Sequence, residues 1–138
     1  SWLAETGRVT YQSATDDELL SYCLSKPGAW PDQPWEGHVV AKVGDKMFAM
    51  FGTTDGTTVG LKCGRMREEA DELVVRYPDD VAAMAYIGRH GWNTVPLGGP
   101  IDDEELRELV DASYDDVVSR LPKSKRPDAA APLGTRRS

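Results

Sequence analysis

The residues that could carry catalysis or hold a metal ion are few in this 138-residue chain, and they stand far apart. Neither of the two histidines, His38 and His90, stands at a metal-ligand spacing from the cysteines or from carboxylates. Cys63 falls on the apolar side of a predicted strand, where a thiol is a poor nucleophile. The chain has no phosphate-binding loop and no Gly-x-Ser-x-Gly sequence. We therefore expect no catalytic residues, no metal site, no cofactor and no enzymatic activity.

Two acidic runs, at 16–18 and 102–105, are the remaining candidates for metal binding or acid–base chemistry. Each opens an apolar pattern of helical spacing, and carboxylates are favoured at the positive end of a helix dipole. We interpret both runs as helix starts, with a metal site or catalytic carboxylates as the weaker alternative.

Binding of nucleic acid is the second kind of chemistry that the sequence suggests. Residues 37–67 are locally basic, and residues 89–93 add groups that stack on bases or donate hydrogen bonds. The predicted nucleic-acid-binding residues are Lys42, Lys46, Lys62, Arg65, Arg67, Arg89, Trp92 and Asn93. The alternative for the lysines is an ordinary solvated sheet face, and the alternative for Trp92 is packing in the core or at its rim. We favour these alternatives, because surface lysines and packed tryptophans are the norm.

Charge is distributed unevenly along the chain. Residues 1–121 carry 11 Lys/Arg against 22 Asp/Glu, whereas residues 122–138 carry 5 against 1. An acidic body opposes broad, nonspecific affinity for DNA but leaves room for a local basic site. We therefore expect any DNA binding to be weak, local and strongly dependent on salt.

The elements that must position these residues begin with a helix and a sheet. A helix is predicted over 16–26, with Thr15 and Glu18 as a capping box, and a Pro- and Trp-rich loop follows over 29–36. Three strands are predicted at about 38–43, 46–51 and 57–63. Tight turns at Gly44-Asp45 and at 53–56 join them.

The turn lengths set a register for this sheet, because directly opposed residues share a face. Ala41 is expected opposite Phe48, Val39 opposite Met50, and Phe48 opposite Leu61. The resulting core face contains Val39, Ala41, Val43, Phe48, Met50, Val59, Leu61 and Cys63. The other face carries the rows His38–Phe51–Thr58, Val40–Ala49–Gly60 and Lys42–Met47–Lys62. Its flat middle row suggests a second hypothesis, a protein-interaction or small-molecule-binding module, unless one of the protein's own helices covers it.

Two further helices are predicted, over 67–77 and over 102–121, the second opened by the capping pair Asp102 and Glu105. Between them we expect a short turn over 81–84 and an extended segment over 86–97.

The predicted organisation is a loose N-terminal arm over 1–14, one domain over 15–122 and a disordered basic tail over 123–138, which has little apolar surface to bury.

No run approaches the roughly 20 apolar residues of a membrane span, and residues 1–13 show no apolar signal-peptide segment. With two cysteines and no spacing pattern, we expect reduced, buried thiols in a cytoplasmic protein without membrane contact. The oligomeric state is left open.

A series of short motifs, in order along residues 15–124, resembles the MmcQ/YjbR-like family. The motifs are Lys26-Pro27-Gly28, Pro34-Trp35, Lys42-Val43, Lys46-Met47-Phe48-Ala49, Leu61-Lys62-Cys63, Tyr86, Trp92-Asn93-Thr94-Val95, Ser113-Tyr114 and Leu121-Pro122-Lys123. The resemblance implies a bacterial-type α+β fold, a three-stranded or larger antiparallel sheet with helices packed on it, described as a double-wing DNA-binding-like motif. It thereby suggests DNA as a partner, and it brings no catalytic residues. The chain departs from the family in its acidity and at Ala83-Met84-Ala85, where the family often has a proline.

Overall fold

The computed structural model describes residues 16–35, 38–51 and 57–127, which form one antiparallel sheet and three helices. The helices are α1 (Asp16–Leu24), α2 (Arg67–Arg76) and α3 (Asp103–Ser119). The strands are β1 (Ala29–Trp35), β2 (His38–Val43), β3 (Lys46–Met50), β4 (Thr58–Lys62), β5 (Ala82–Ala83) and β6 (Trp92–Pro96). Their order across the sheet is β1-β2-β3-β4-β6-β5. The predicted α+β class with an antiparallel sheet of three or more strands is confirmed.

Several predictions fall on residues outside these ranges. They are the arm over 1–14, the Thr15 cap, the second turn over 53–56 and the last eleven residues of the tail, 128–138. No helix within the described ranges has both the length and the apolar character needed to cross a bilayer.

Residues 29–35, predicted as a loop, are the edge strand β1. Pro31 and Pro34 favour a loop, because proline cannot donate a hydrogen bond within a sheet. A proline is nevertheless tolerated at the edge of a sheet, where half of the backbone N–H groups need no partner. Ala29 pairs with Val43 and Trp30 pairs with Lys42, and the indole Nε1 of Trp30 donates to the Gly44 carbonyl at 2.8 Å. The prediction of a loop is therefore wrong.

A β-bulge in the hairpin of β2 and β3 changes the predicted register. Val43 pairs with Lys46 and Lys42 with Met47, as expected for the tight turn at Gly44, whose φ is 62°. Beyond that point the partners shift by one residue, and Ala41 lies opposite Ala49. The predicted pairings of Ala41 with Phe48, Val39 with Met50 and Phe48 with Leu61 are wrong.

The hydroxyl of Ser113, on α3, bridges β3 and β4 next to the bulge. It donates to the Phe48 carbonyl at 2.6 Å and accepts from the Lys62 backbone N–H at 3.1 Å. Two backbone groups that do not meet each other in the ladder are thereby satisfied in the buried interior.

The bulge also exchanges residues between the two faces of the sheet. Phe48 stays in the core, as predicted, but Ala49 and Phe51 join it there, whereas Met50 does not. Met50 instead lies opposite Gly60 in a row Val40–Met50–Gly60 on the other face. The predicted positions of Ala49 and Met50 are therefore wrong.

The three helices pack against the core face of the sheet. On α3, Leu106, Val110 and Val117 are buried, and Tyr114 meets Phe48 edge to face with ring centroids 5.1 Å apart. Asp102 caps α3 as predicted, because its Oδ1 accepts from the Glu105 N–H at 2.9 Å. In α2, Ala70 and Leu73 are buried. The opposite face of the sheet, around Met47, Met50, Gly60 and Thr94, is called the open face below.

The segment between α2 and α3 is more irregular than predicted. The turn expected over 81–84 contains the two-residue strand β5, which pairs with β6. The extended segment expected over 86–97 is a strand only from Trp92 to Pro96, and one turn of 3-10 helix occupies Gly88–His90.

The beginning of the basic tail, residues 123–127, folds back onto the end of α3. Lys123–Lys125 form one turn of 3-10 helix. Arg126 then donates from Nε to the Leu121 carbonyl at 2.9 Å and from Nη2 to the Ser119 carbonyl at 2.8 Å. These are carbonyls at the C-terminal end of α3, where a cation is favoured.

Candidate functional site

The open face holds an apolar cavity of about 540 Å³, called the methionine cavity below. Its lining comes from the sheet at Met47, Met50, Phe51, Thr58, Gly60 and Thr94, and from the segment 84–87 that follows β5. Three of the four methionines of the chain line it, and the fourth, Met66, lies outside it at the start of α2.

Gly60 makes the floor of the cavity, because it has no side chain in the middle of β4. A Cβ atom at this position would lie 2.8 Å from the Met84 sulfur and 2.9 Å from its methyl carbon. The Met84 thioether therefore rests directly on the Gly60 backbone. The bulge turns Met50 to the open face, and the pairing of β3 with β4 places it opposite Gly60, beside this floor.

Tyr86 stands at the rim of the cavity on a strained turn. Its φ is 69°, and the Ile87 N–H donates to the Ala85 carbonyl at 2.7 Å, which closes a three-residue γ-turn. A left-handed tyrosine costs about 1–3 kcal/mol and persists only where its surroundings hold it. The side chain is 98% exposed. A large aromatic ring is thus held in solvent beside an apolar cavity.

A buried polar network braces the segment that carries Tyr86. The Arg67 guanidinium donates to the Gly88 carbonyl at 2.8 Å, to the Trp92 carbonyl at 3.2 Å and to Oδ1 of Asn93. The amide of Asn93 in turn donates to the Ala70 carbonyl at 2.9 Å. Arg67, Trp92 and Asn93, three of the predicted nucleic-acid-binding residues, hold α2, β6 and the 3-10 turn together. Trp92 is 7% exposed and Asn93 is fully buried.

The positive charges of two of the predicted lysines are balanced by carboxylates of the protein itself. Lys42 forms an ion pair with Asp32 at 2.8 Å and lies 5.3 Å from the Trp30 ring. The hydrogen bond from Lys42 holds the pKa of Asp32 below its usual value. Lys62 is 6% exposed; its ammonium donates to the His90 carbonyl and lies 3.7 Å from the Asp116 carboxylate. Burial lowers the pKa of Lys62, and Asp116 opposes that shift. In the predicted exposed row Lys42–Met47–Lys62, Lys42 pairs with Met47 as expected, but Lys62 is buried.

The remaining predicted cations, Lys46, Arg65 and Arg89, are exposed. Arg65 and Arg89 lie on two loops in direct contact, because a Cβ at Gly91 would meet the Gly64 carbonyl oxygen at 2.0 Å. Arg65 is 70% exposed, with its Nε 3.9 Å from Asp116. Two of the eight predicted residues, Arg65 and Arg89, are therefore exposed cations on segments whose backbones touch.

The chemistry of the thiols and of metal ligands is limited. Burial raises the pKa of Cys23 to about 12 and that of Cys63 to about 11. Neither cysteine forms a disulfide with another described residue; Cys23 is buried as predicted, whereas Cys63 is only half-buried. Among residues 16–35, 38–51 and 57–127, no three His, Cys, Asp or Glu side chains are grouped so as to hold a metal ion.

Sequence reasoning missed the cavity residues Met50, Met84, Tyr86 and Ile87. Two signals were present. A glycine inside a strand often marks a close approach by another group, and Gly60 is such a glycine. The run 81–87, apolar with no charged residue, lies outside any regular helix or strand pattern. What the sequence could not supply is the bulge that turns Met50 toward Gly60.

The fold and the cavity define a class of protein: an α+β domain with helices on one face of a single sheet and an apolar cavity on the other. The family model described as YjbR matches residues 24–116. The "Uncharacterized protein YjbR" of Escherichia coli strain K12 is 36% identical over 115 residues, covering 81% of this chain and 94% of the relative. The same protein of E. coli O157:H7 matches with the same values. The crystal structure of Deinococcus radiodurans protein DR2400, with a domain of family DUF419, aligns with a TM-score of 0.73 at 30% identity, covering 86% of this chain and 89% of that one.

The chain belongs to the YjbR family, which confirms the resemblance seen in the sequence motifs.

Proposed function

We propose that this chain is a binding module that takes a small apolar ligand into the methionine cavity. The observation that carries the proposal is the cavity itself, about 540 Å³ in volume and open beside a fully exposed Tyr86. Small-molecule sites commonly have volumes of about 300–1,000 Å³ and are mostly apolar. None of the protein's described helices covers this face, which supports the binding-module hypothesis over an ordinary covered sheet.

The lining suits a ligand that must be accommodated by flexible contacts. Methionine is unbranched and polarisable, and methionine-rich surfaces are used where a binding site must adapt to its ligand. The wall that carries Met84 and Tyr86 is fixed by the Arg67 and Asn93 network, so the site is partly preorganised. Strain at Tyr86 supports the same conclusion, because strained residues cluster at ligand clamps.

The proposal is tested by filling the cavity from its floor. In Gly60→Val, the new side chain occupies the space of the Met84 thioether and drives that flexible tip into the cavity. The φ of Gly60 is not left-handed, and valine is favoured in strands, so the fold is expected to persist. Gly99→Val is the matched control, since its added carbon makes only ordinary contacts at 3.5 Å.

The assay is the fluorescence of N-phenylnaphthylamine, a neutral dye that brightens in apolar surroundings. Wild type and Gly99→Val are expected to give the same saturable increase, and Gly60→Val to bind at least tenfold more weakly while remaining folded by circular dichroism. Equal dye binding by folded Gly60→Val would contradict the cavity as the binding site. A protein partner is the other occupant considered, and its docking would displace the dye from wild type.

A second candidate function is weak binding of nucleic acid, favoured by one observation. The segments 64–66 and 88–91 touch at Gly64 and Gly91, and each carries one exposed arginine, Arg65 and Arg89. Two or three phosphate contacts would give a slope of about −0.9 per phosphate in log affinity against log salt, so only a few units in total.

Titration of labelled duplex and single strands at low salt tests this second function. Arg65→Glu combined with Arg89→Glu is expected to abolish binding, and Arg107→Glu, an exposed change on α3, is the control. Absence of binding by wild type at low salt and high protein concentration would remove the nucleic-acid hypothesis.

A further inference from the structure

We infer that the ligand of the methionine cavity is a neutral, planar aromatic molecule; this rests on the proposed function and names its ligand class.

The charge of the site excludes strongly ionic ligands. None of the lining residues within the described part of the chain is charged, and the polar side chains among them are Thr58, Thr94 and the phenol of Tyr86. An ionised ligand would lose its hydration without gaining a partner of opposite charge. An anion would in addition approach a protein whose net charge is −7.

The sulfur atoms of the cavity favour aromatic over aliphatic ligands. Met47, Met50 and Met84 present three thioethers to one space. A thioether in contact with an aromatic ring favours binding by roughly two- to tenfold, in addition to the apolar area buried. An aliphatic chain of similar size gains only the free energy of burying its apolar surface, without the contact between sulfur and an aromatic ring.

The shape of the site favours a flat molecule. The floor at Gly60 is bare backbone with the Met84 thioether laid across it. Tyr86 at the rim presents a ring that is 98% exposed, and offset stacking of that ring on a planar ligand would remove it from water. A two- or three-ring molecule therefore contacts sulfur on one side and the Tyr86 ring on the other.

The experiment uses the four methionine methyl groups as reporters. Full-length protein labelled with carbon-13 at the methionine methyls is titrated, by NMR, with naphthol, with naphthol sulfonate and with octanol. The first two share a ring system and differ in charge, whereas octanol is neutral and aliphatic. Met66, 51% exposed and outside the cavity, is the internal control.

Naphthol is expected to move the methyl signals of Met47, Met50 and Met84 upfield, through ring currents, and to leave Met66 unchanged. The sulfonate is expected to bind at least tenfold more weakly, and octanol at least fivefold more weakly without upfield shifts. Tyr86→Ala should weaken naphthol binding about three- to tenfold and change octanol binding less than twofold, with Val75→Ala, a truncation at another exposed apolar position outside the cavity, as control.

The possible outcomes separate the proposed ligand class from the proposed binding function. Equal or tighter binding of octanol or of the sulfonate at the same three methyls overturns the aromatic, neutral ligand class but leaves the proposed function standing. Shifts of similar size at Met66 mean nonspecific association and overturn both. Absence of shifts with every probe also overturns the proposed function.

Discussion

Replacing Ser113 with alanine removes the one hydroxyl that joins α3 to the β-bulge. In the structure this hydroxyl serves both the Phe48 carbonyl, at 2.6 Å, and the Lys62 N–H, at 3.1 Å, and Ser113 is fully buried. Leaving a buried backbone group without a partner costs about 1–3 kcal/mol. Ser113→Ala leaves two such groups without a partner, and partial relaxation of the structure relieves some of that cost. We therefore expect the free energy of unfolding to fall by about 2–4 kcal/mol. In a domain of this size that corresponds to a fall in Tm of roughly 8–16 °C.

The measurement is urea unfolding followed by circular dichroism, with Ser119→Ala as the matched control. Ser119 lies in the same helix, but it is exposed and its hydroxyl contacts only the Asp116 carbonyl, so its loss is expected to change stability by less than about 0.5 kcal/mol. Ser113→Ala should also weaken dye binding, because the bulge is what brings Met50 beside Gly60. A Ser113→Ala protein as stable as Ser119→Ala would refute the role given to this bridge.

Three further predictions concern the C-terminal tail, the thiol of Cys63 and the ammonium group of Lys62. Deletion of residues 128–138 should leave the Tm nearly unchanged, whereas Arg126→Ala should lower stability by about 1 kcal/mol, since Arg126 donates to two carbonyls at the end of α3; thermal melts compare the two, and a large loss in the deletion would show that the far tail docks. Because burial raises the pKa of Cys63 to about 11, its labelling at pH 8 should be on the order of a hundredfold slower than in urea and should accelerate as pH rises; rapid native labelling, followed by mass spectrometry, would contradict this. Lys62→Glu should destabilise the protein by about 3–5 kcal/mol, because it sets two carboxylates together beside α3, whereas Arg65→Glu should be nearly neutral; similar urea midpoints for the two variants would show that Lys62 is not buried as described.

Local signals were sufficient for much of the fold. The turn at Gly44-Asp45, the Asp102 cap and the apolar stripes of α2 and α3 depend on residues close in sequence, and all four are where the pattern predicts them. The edge strand β1 was missed because prolines exclude a central strand but not an edge.

The site was harder to predict because it depends on distant residues. The bulge at β3 is satisfied by Ser113, which is 65 residues from Phe48 along the chain, so no local pattern announces it. A shift of one residue reverses the face of every side chain beyond it, which is why Met50 was assigned to the core. The internal partners of two cations were hidden for a related reason. Arg67 contacts Asn93 and Lys62 contacts Asp116, and proximity in sequence does not reveal either pair.

Methionine oxidation tests most directly whether a ligand occupies the cavity. Native protein is treated with dilute hydrogen peroxide, with and without saturating N-phenylnaphthylamine, and sulfoxide formation at each methionine is followed by mass spectrometry. We predict that the dye slows oxidation of Met47, Met50 and Met84 several-fold and leaves the rate at Met66 unchanged, because only the first three line the cavity. Equal rates at the three cavity methionines with and without bound dye would contradict the account.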